Sequence, residues 1–205
     1  GLKVSRLGFG GIPVQRISKE EAIALIRKLP EYGVNYIDTA RGYTVSEEYI
    51  GAAIDGIREK FVLATKSQAR TKDAMAADID ISLKNLRTDY IDLYQVHFVQ
   101  PKDLDTITGP GGALEALQEA KAIGKIRHIG FTTHELAVFE KALELDWVES
   151  IMFPYNFVET HGVDAMKKCT EKGKAFICMK PLAGGAIDDA TLALRFITAN
   201  PNVTV

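Results

Sequence analysis

The chain has little cysteine, little tryptophan and no long apolar run: 2 Cys and 1 Trp stand among 205 residues. Cys169 and Cys178 are too few and too close to build a scaffold of spaced disulfides, so they read as reduced core thiols. The longest apolar stretches, such as 148–153, fall far short of a bilayer span. No charged-then-apolar leader opens the chain, so no secretory signal is expected, and a cytoplasmic setting fits best. A formal net charge of −2 offers no basic field for nucleic acid or an anionic membrane. No low-complexity tract, charge block or Pro/Gly/Ser linker interrupts the sequence. Length alone does not separate one domain from two, but this continuity predicts a single domain over 1–205.

What is present is an ordinary globular composition, 46% hydrophobic and 25% charged, arranged in alternation. Short β-branched or aromatic runs at 5–9, 34–38, 61–65, 90–96, 126–131, 149–153 and 175–179 read as strands, and an eighth begins at 203. Helical periods lie between them. Ser18 to Glu21 has the spacing of a capping box, ahead of Ile23, Ile26 and Leu29, and Pro30 ends that helix. Residues 72–87 place Met75, Ile79, Leu83 and Leu86 on one face. Residues 111–123 stop before Gly124. Thr132 and Glu135 have the spacing to cap the next helix, and 163–172 and 189–199 supply two more.

Strict strand–helix alternation means parallel strands covered by helices. A doubly wound sheet would need a phosphate-binding turn opening a helix after its first strand. Gly8-Phe9-Gly10-Gly11 is glycine-rich, but Pro13 follows and no helix opens there, so the dinucleotide fingerprint fails. Eight strands in sequence suit a (β/α)8 barrel, the α/β fold with parallel strands. The chain stops at Val205 inside the eighth strand, which predicts a barrel truncated in its C-terminal strand and helix.

In such a barrel chemistry sits at the C-terminal ends of the strands. Asp38 ends the second strand, Lys66 the third and His97 the fourth, with Tyr43 in the loop after Asp38. Alone, each has an ordinary reading: a turn cap, a solvated lysine, a core histidine, a packing tyrosine. Their coincidence at one end is what points to function. A phenol near pKa ~10 is a weak acid at neutral pH. A nearby ammonium is expected to lower that pKa, and a carboxylate to hold the ammonium charged. A histidine can donate a hydrogen bond to a substrate oxygen. The set protonates an alkoxide or deprotonates an alcohol, and no side chain in it donates hydride, so a cofactor must.

Asp38-Thr39-Ala40 with Tyr43 five residues on, Ala64-Thr65-Lys66-Ser67 and Tyr94-Gln95-Val96-His97 resemble the Asp/Tyr/Lys/His tetrad of the aldo-keto reductase superfamily. Gly8 to Gly11, the run Ser82 to Asp92 and Gly124 to Gly130 resemble its first strand, its approach to the fourth and its fifth. The resemblance implies a hydride transfer between NADPH, less often NADH, and a small carbonyl substrate. Tyr43 would be the general acid/base, Lys66 its modulator, Asp38 the partner of Lys66, and His97 the group that orients the carbonyl. It assigns Gly11, Thr132, Thr133, Met152, Met179, Lys180, Pro181 and Leu182 to cofactor binding. Thr132-Thr133, Met152 and Met179 depart there from the family's usual Ser-Asn, Gln and aromatic. The variant looks most like a microbial branch, some members of which carry a C-terminal iron–sulfur segment; no such cysteine cluster occurs in these residues.

Arg41, Tyr155 and Asn156 are candidates for contact with substrate. His128, His134 and His161 lack metal-ligand spacing, so no metal is expected. Two other readings compete with the reductase: Lys66 as a Schiff-base nucleophile on the same barrel, and a non-catalytic nucleotide-binding module. Substrate identity and oligomeric state are not encoded in these motifs.

Overall fold

The computed structural model describes residues 1–205. The chain divides into two compact units, Gly1–His97 with Lys102–Ile129, and Phe98–Pro101 with Gly130–Val205.

In the first unit the strands are β1 (Gly8–Gly10), β2 (Tyr36–Asp38), β3 (Val62–Ser67) and β4 (Ile91–Val96). Neighbours pair in parallel, with Gly10 opposite Asp38, Asp38 opposite Ala64 and Lys66 opposite Gln95. The helices are α1 (Lys19–Lys28), α2 (Ser46–Ile54), α3 (Lys72–Leu86), α4 (Leu104–Thr108) and α5 (Ala113–Ala122). Strand β5 (Ile126–Thr132) starts in this unit and runs into the second. There it pairs in parallel with β6 (Ser150–Pro154), and β6 with β7 (Ala175–Met179). Helices α6 (Leu136–Leu143), α7 (Val163–Glu171) and α8 (Ala190–Ala199) complete it. Strand order follows chain order from β1 to β7.

Local chemistry explains most boundaries. The capping box forms: the Glu21 N–H donates to Ser18 Oγ at 3.2 Å and the Ser18 N–H to Glu21 Oε2 at 2.8 Å. Helix α1 ends at Lys28, and Pro30 sits in the tight turn Leu29–Tyr32 that follows. Four expectations shift. The first strand is Gly8–Gly10 rather than 5–9. Helix α2 fills a stretch for which the periodicity named no helix. The helix after β5 is not capped by Thr132, which belongs to the strand, and no side chain caps it; Thr133 Oγ1 accepts the N–H of Glu135 just ahead of it, at 3.0 Å. At the chain's end the Thr204 N–H donates to the Phe176 oxygen at 2.9 Å and the Cys178 N–H to the Val205 oxygen at 2.8 Å. No eighth strand forms at 203, and the sheet ends at β7 with these backbone bonds beside it.

Strands β3 and β4 are buried at every position, yet they carry Thr65, Lys66, Ser67, Asp92 and Gln95. Buried polar groups need partners, and these find them at opposite ends of the strands. At the N-terminal end Asp92 accepts from Arg58 Nη2 at 2.7 Å, from the Leu63 N–H at 2.9 Å and from Arg127 Nη1 at 3.1 Å. The Tyr90 ring lies against both guanidinium groups, at 4.2 Å from Arg58 and 3.8 Å from Arg127. In a parallel α/β barrel that end serves stability and the other end serves chemistry. No helix is long and apolar enough to cross a membrane.

Candidate active site

The C-terminal ends of β2, β3 and β4 bring Asp38, Lys66 and His97 together with Tyr43, all within the first unit. Lys66 is 1% exposed, an unusual place for an ammonium. Its Nζ lies 2.5 Å from Asp38 Oδ2 and 2.5 Å from the Thr39 carbonyl oxygen. The other carboxylate oxygen of Asp38 accepts from Gln95 Nε2 at 3.2 Å. Asp38 is thus fixed from both sides, and Lys66 is aimed from β3 towards β2. Burial pushes the Asp38 carboxyl above its usual range, against the opposing pull of the Lys66 ammonium and the Gln95 amide. An ion-paired ammonium is a poor amine nucleophile, which weighs against the Schiff-base reading.

Tyr43 stands over this pair. Lys66 Nζ lies 5.0 Å from the centroid of the Tyr43 ring, and the His97 ring meets Tyr43 edge-on at a centroid distance of 6.0 Å. The phenol titrates in the direction opposite to expectation. Burial, and after it the Asp38 charge, push it up to about 12 rather than down. The physical reason is burial of the ring, which disfavours the charged phenolate, reinforced by the negative charge of Asp38 nearby. Tyr43 is therefore a neutral phenol at physiological pH.

The loop carrying Tyr43 is held by main-chain bonds. The Thr39 and Arg41 N–H groups donate to the Ala64 and Lys66 oxygens, each at 2.9 Å, and the Gly11 N–H donates to the Asp38 oxygen at 2.7 Å. A Cβ on Gly11 would sit 2.7 Å from Ser46 Oγ and 3.0 Å from the Asp38 oxygen, so any larger residue would have to push its neighbours aside.

Arg41, expected to meet substrate, turns inward. It pairs with buried Glu47, and its Nε lies 3.7 Å from Asp78 Oδ1. Glu47 was missed by sequence reasoning. The signal was available: Ser46-Glu47-Glu48 ahead of Ile50, Ala53 and Ile54 is a helix start with acids in its first turn.

The remaining candidates lie in the second unit. Asn156 is fully buried and its amide is committed: Nδ2 donates to Glu159 Oε2 at 2.8 Å and to the Lys180 oxygen at 3.1 Å, and Oδ1 accepts from the Val158 and Glu159 N–H groups, each at 2.9 Å. Tyr155 is buried and its hydroxyl accepts from Asn200 Nδ2 at 3.1 Å. The Asn156 amide thus shapes the turn after β6, while the Tyr155 hydroxyl meets the residue that ends α8 and keeps its own proton. Thr133 Oγ1 donates to the Val99 oxygen at 2.8 Å and accepts the Glu135 N–H, so its hydroxyl proton is used. Thr132 Oγ1 accepts the Phe98 N–H at 2.7 Å and keeps its own proton to give. Met152 is buried in β6 and Met179 half-buried at the end of β7. Lys180 is exposed with φ 56°, opening the turn through Pro181 and Leu182. No three His, Cys, Asp or Glu side chains gather as a metal site.

A sequence model of the aldo/keto reductase family matches residues 6–204. The chain belongs to this family. Its curated relatives include the L-galactose dehydrogenase of Arabidopsis thaliana, 30% identical over 92% of this chain and 65% of the plant protein. Among solved structures, an aldo-keto reductase of Bacillus halodurans in its holo form is 31% identical with a TM-score of 0.80, over 90% of this chain and 64% of that one. An aldo-keto reductase of Klebsiella pneumoniae in complex with NADPH is 25% identical with a TM-score of 0.79, over 91% and 67% respectively. The chain thus spans about two thirds of the length of these relatives. With the family comes the expected fold class, the (β/α)8 barrel with parallel strands.

Proposed function

We propose that the protein is an NADPH-dependent reductase of small aldehydes or ketones, with Tyr43 as the proton donor. The observation that carries this reading is the buried Asp38–Lys66 pair lying beneath the Tyr43 ring with His97 at its edge. NADPH would supply hydride to the carbonyl carbon, a capacity no side chain of the set has. The donor chemistry of the second unit fits such a cofactor. Thr132 retains a hydroxyl proton for an amide oxygen, Lys180 offers an exposed cation beside Pro181 and Leu182, and Met152 and Met179 supply soft apolar surface. Thr133 is subtracted from that set by its own hydrogen bonds.

The chain's own groups then divide the work. His97 orients the carbonyl oxygen by a hydrogen bond. Tyr43 holds its proton until negative charge develops on that oxygen. An alkoxide is a far stronger base than a phenolate, so transfer from a phenol of pKa about 12 is still downhill. The Lys66 ammonium, 5.0 Å from the ring, stabilises the phenolate left behind. Asp38, braced by Gln95, holds that ammonium in place. Binding of NADPH to the Klebsiella relative supports the choice of cofactor.

The test is direct. Purified protein with NADPH and a panel of small aldehydes and ketones should consume absorbance at 340 nm for at least one of them. Tight NADPH binding with no consumption across the panel would instead favour a non-catalytic nucleotide-binding module.

A further inference from the structure

The Tyr43 loop is held from behind by a buried acid that the proposed chemistry does not use. Glu47, in the first turn of α2, is 1% exposed. Its Oε1 accepts from Thr65 Oγ1 at 2.7 Å and from Ser82 Oγ at 2.8 Å. Its Oε2 accepts from Arg41 Nη1, and from Asn85 Nδ2 at 3.4 Å. One carboxylate thereby joins the Tyr43 loop, β3 and α3. A buried charge is tolerated only when paired and hydrogen-bonded, and all four partners are in place. At the N-terminus of α2 the negative charge is also favoured by the helix dipole.

The geometry links this hub to the proton donor. Arg41 stands two residues before Tyr43, and its main-chain N–H donates to the oxygen of Lys66. Thr65 and Lys66 are adjacent on β3 and point to opposite faces, as strand residues do. Thr65 meets Glu47 on one face while Lys66 meets Asp38 on the other. Arg41 is fixed by Glu47 on one side and approached by Asp78 on the other. Asp78 in turn accepts from Ser67 Oγ, also on β3. The position of Tyr43 over Lys66 is therefore tied to β3 by two routes, one through main chain and one through Arg41 and Glu47.

We infer that Glu47 and Arg41 are positioning residues that set the Tyr43 hydroxyl against the reacting oxygen without touching substrate. This rests on the reading of Tyr43 as proton donor and deepens it. An ångström of misplacement in such a group costs about a hundredfold in rate.

The experiment uses Arg41→Lys and Glu47→Gln, each alone and combined with Tyr43→Phe. Glu47→Gln keeps the size of the side chain and an acceptor for Thr65 and Ser82. Alone, each should lower kcat by about tenfold to a hundredfold, with KM and the NADPH dissociation constant within about twofold of wild type. In the Tyr43→Phe background, neither should lower the residual rate further. Full additivity, or an unchanged kcat, would overturn the inference, because a general structural defect subtracts equally with or without the phenol. Should one variant fail to fold, the other carries the cycle. A second readout needs no turnover. In protein labelled with 3-fluorotyrosine, the 19F resonance lost in Tyr43→Phe should shift or broaden in Arg41→Lys. An unchanged resonance would overturn the inference. If the wild type reduces nothing, the reductase reading fails by itself and the 19F comparison still judges the clamp.

Discussion

Replacing Lys66 by Met tests the buried ion pair through stability rather than rate. The substitution keeps most of the side chain's volume and removes the ammonium. It leaves the Asp38 carboxylate with only Gln95 Nε2 at 3.2 Å and deprives the Thr39 oxygen of its 2.5 Å donor. Breaking a buried pair by removing one partner costs about 3–5 kcal/mol. The cost should depend on pH, and the sign follows from Asp38. Its carboxyl is already pushed up by burial and would rise further without the ammonium, whereas in the unfolded chain it titrates near ~3.9. Between those two values the folded variant binds more protons than the unfolded chain, so its stability falls as pH rises, by at most about 1.4 kcal/mol per pH unit. Urea unfolding followed by far-ultraviolet circular dichroism should therefore show a larger loss at about pH 8 than at about pH 5. Adding Asp38→Asn should restore more than half of the loss at the higher pH. Equal losses at the two pH values, or no rescue by the second substitution, would refute the reasoning.

Other consequences are open to simpler checks. With Tyr43 at about 12, kcat for reduction should stay level from about pH 6 to about pH 9; an alkaline limb with a midpoint between those values would show a phenol that titrates lower. A Cβ on Gly51 would lie 2.1 Å from the Asn85 oxygen, so Gly51→Ala should force α2 from α3 and destabilise by about 1–3 kcal/mol despite alanine's better helix propensity, measured by thermal or urea unfolding. Burial pushes the Cys169 and Cys178 thiols up to about 12, so native protein at about pH 8 should react slowly with iodoacetamide and unfolded protein quickly.

The sequence and the structure agree most where periodicity is strong. β-branched runs bounded by turn residues locate β2 to β7 within about two residues, because buried strands of this fold are short, apolar and evenly spaced. That Asp38, Lys66 and His97 gather at one end was legible because they close three adjacent parallel strands, and the place of Tyr43 because it follows Asp38 in a short loop. Side-chain direction was not legible. Arg41 looks like a rim residue until Glu47 is seen behind it, and Asn156 looks like a pocket residue until its four hydrogen bonds are traced. The face of α3 shows the same limit: Ser82 is buried alongside Met75, Ile79 and Leu86, while Leu83 is only half-buried. A serine is placed there by a polar partner on another helix, and no period within α3 encodes that partner. The direction of the Tyr43 shift also escaped, because it depends first on how far the folded chain buries the ring, which residue spacing does not encode.

The most direct measurement is a single-turnover reaction of Tyr43→Phe, with NADPH bound in advance and a carbonyl compound that the wild type reduces. Removing one hydroxyl should slow oxidation of the bound nucleotide by at least about a hundredfold while leaving NADPH affinity within about twofold. A variant that oxidises NADPH at the wild-type rate would show that the proton comes from elsewhere.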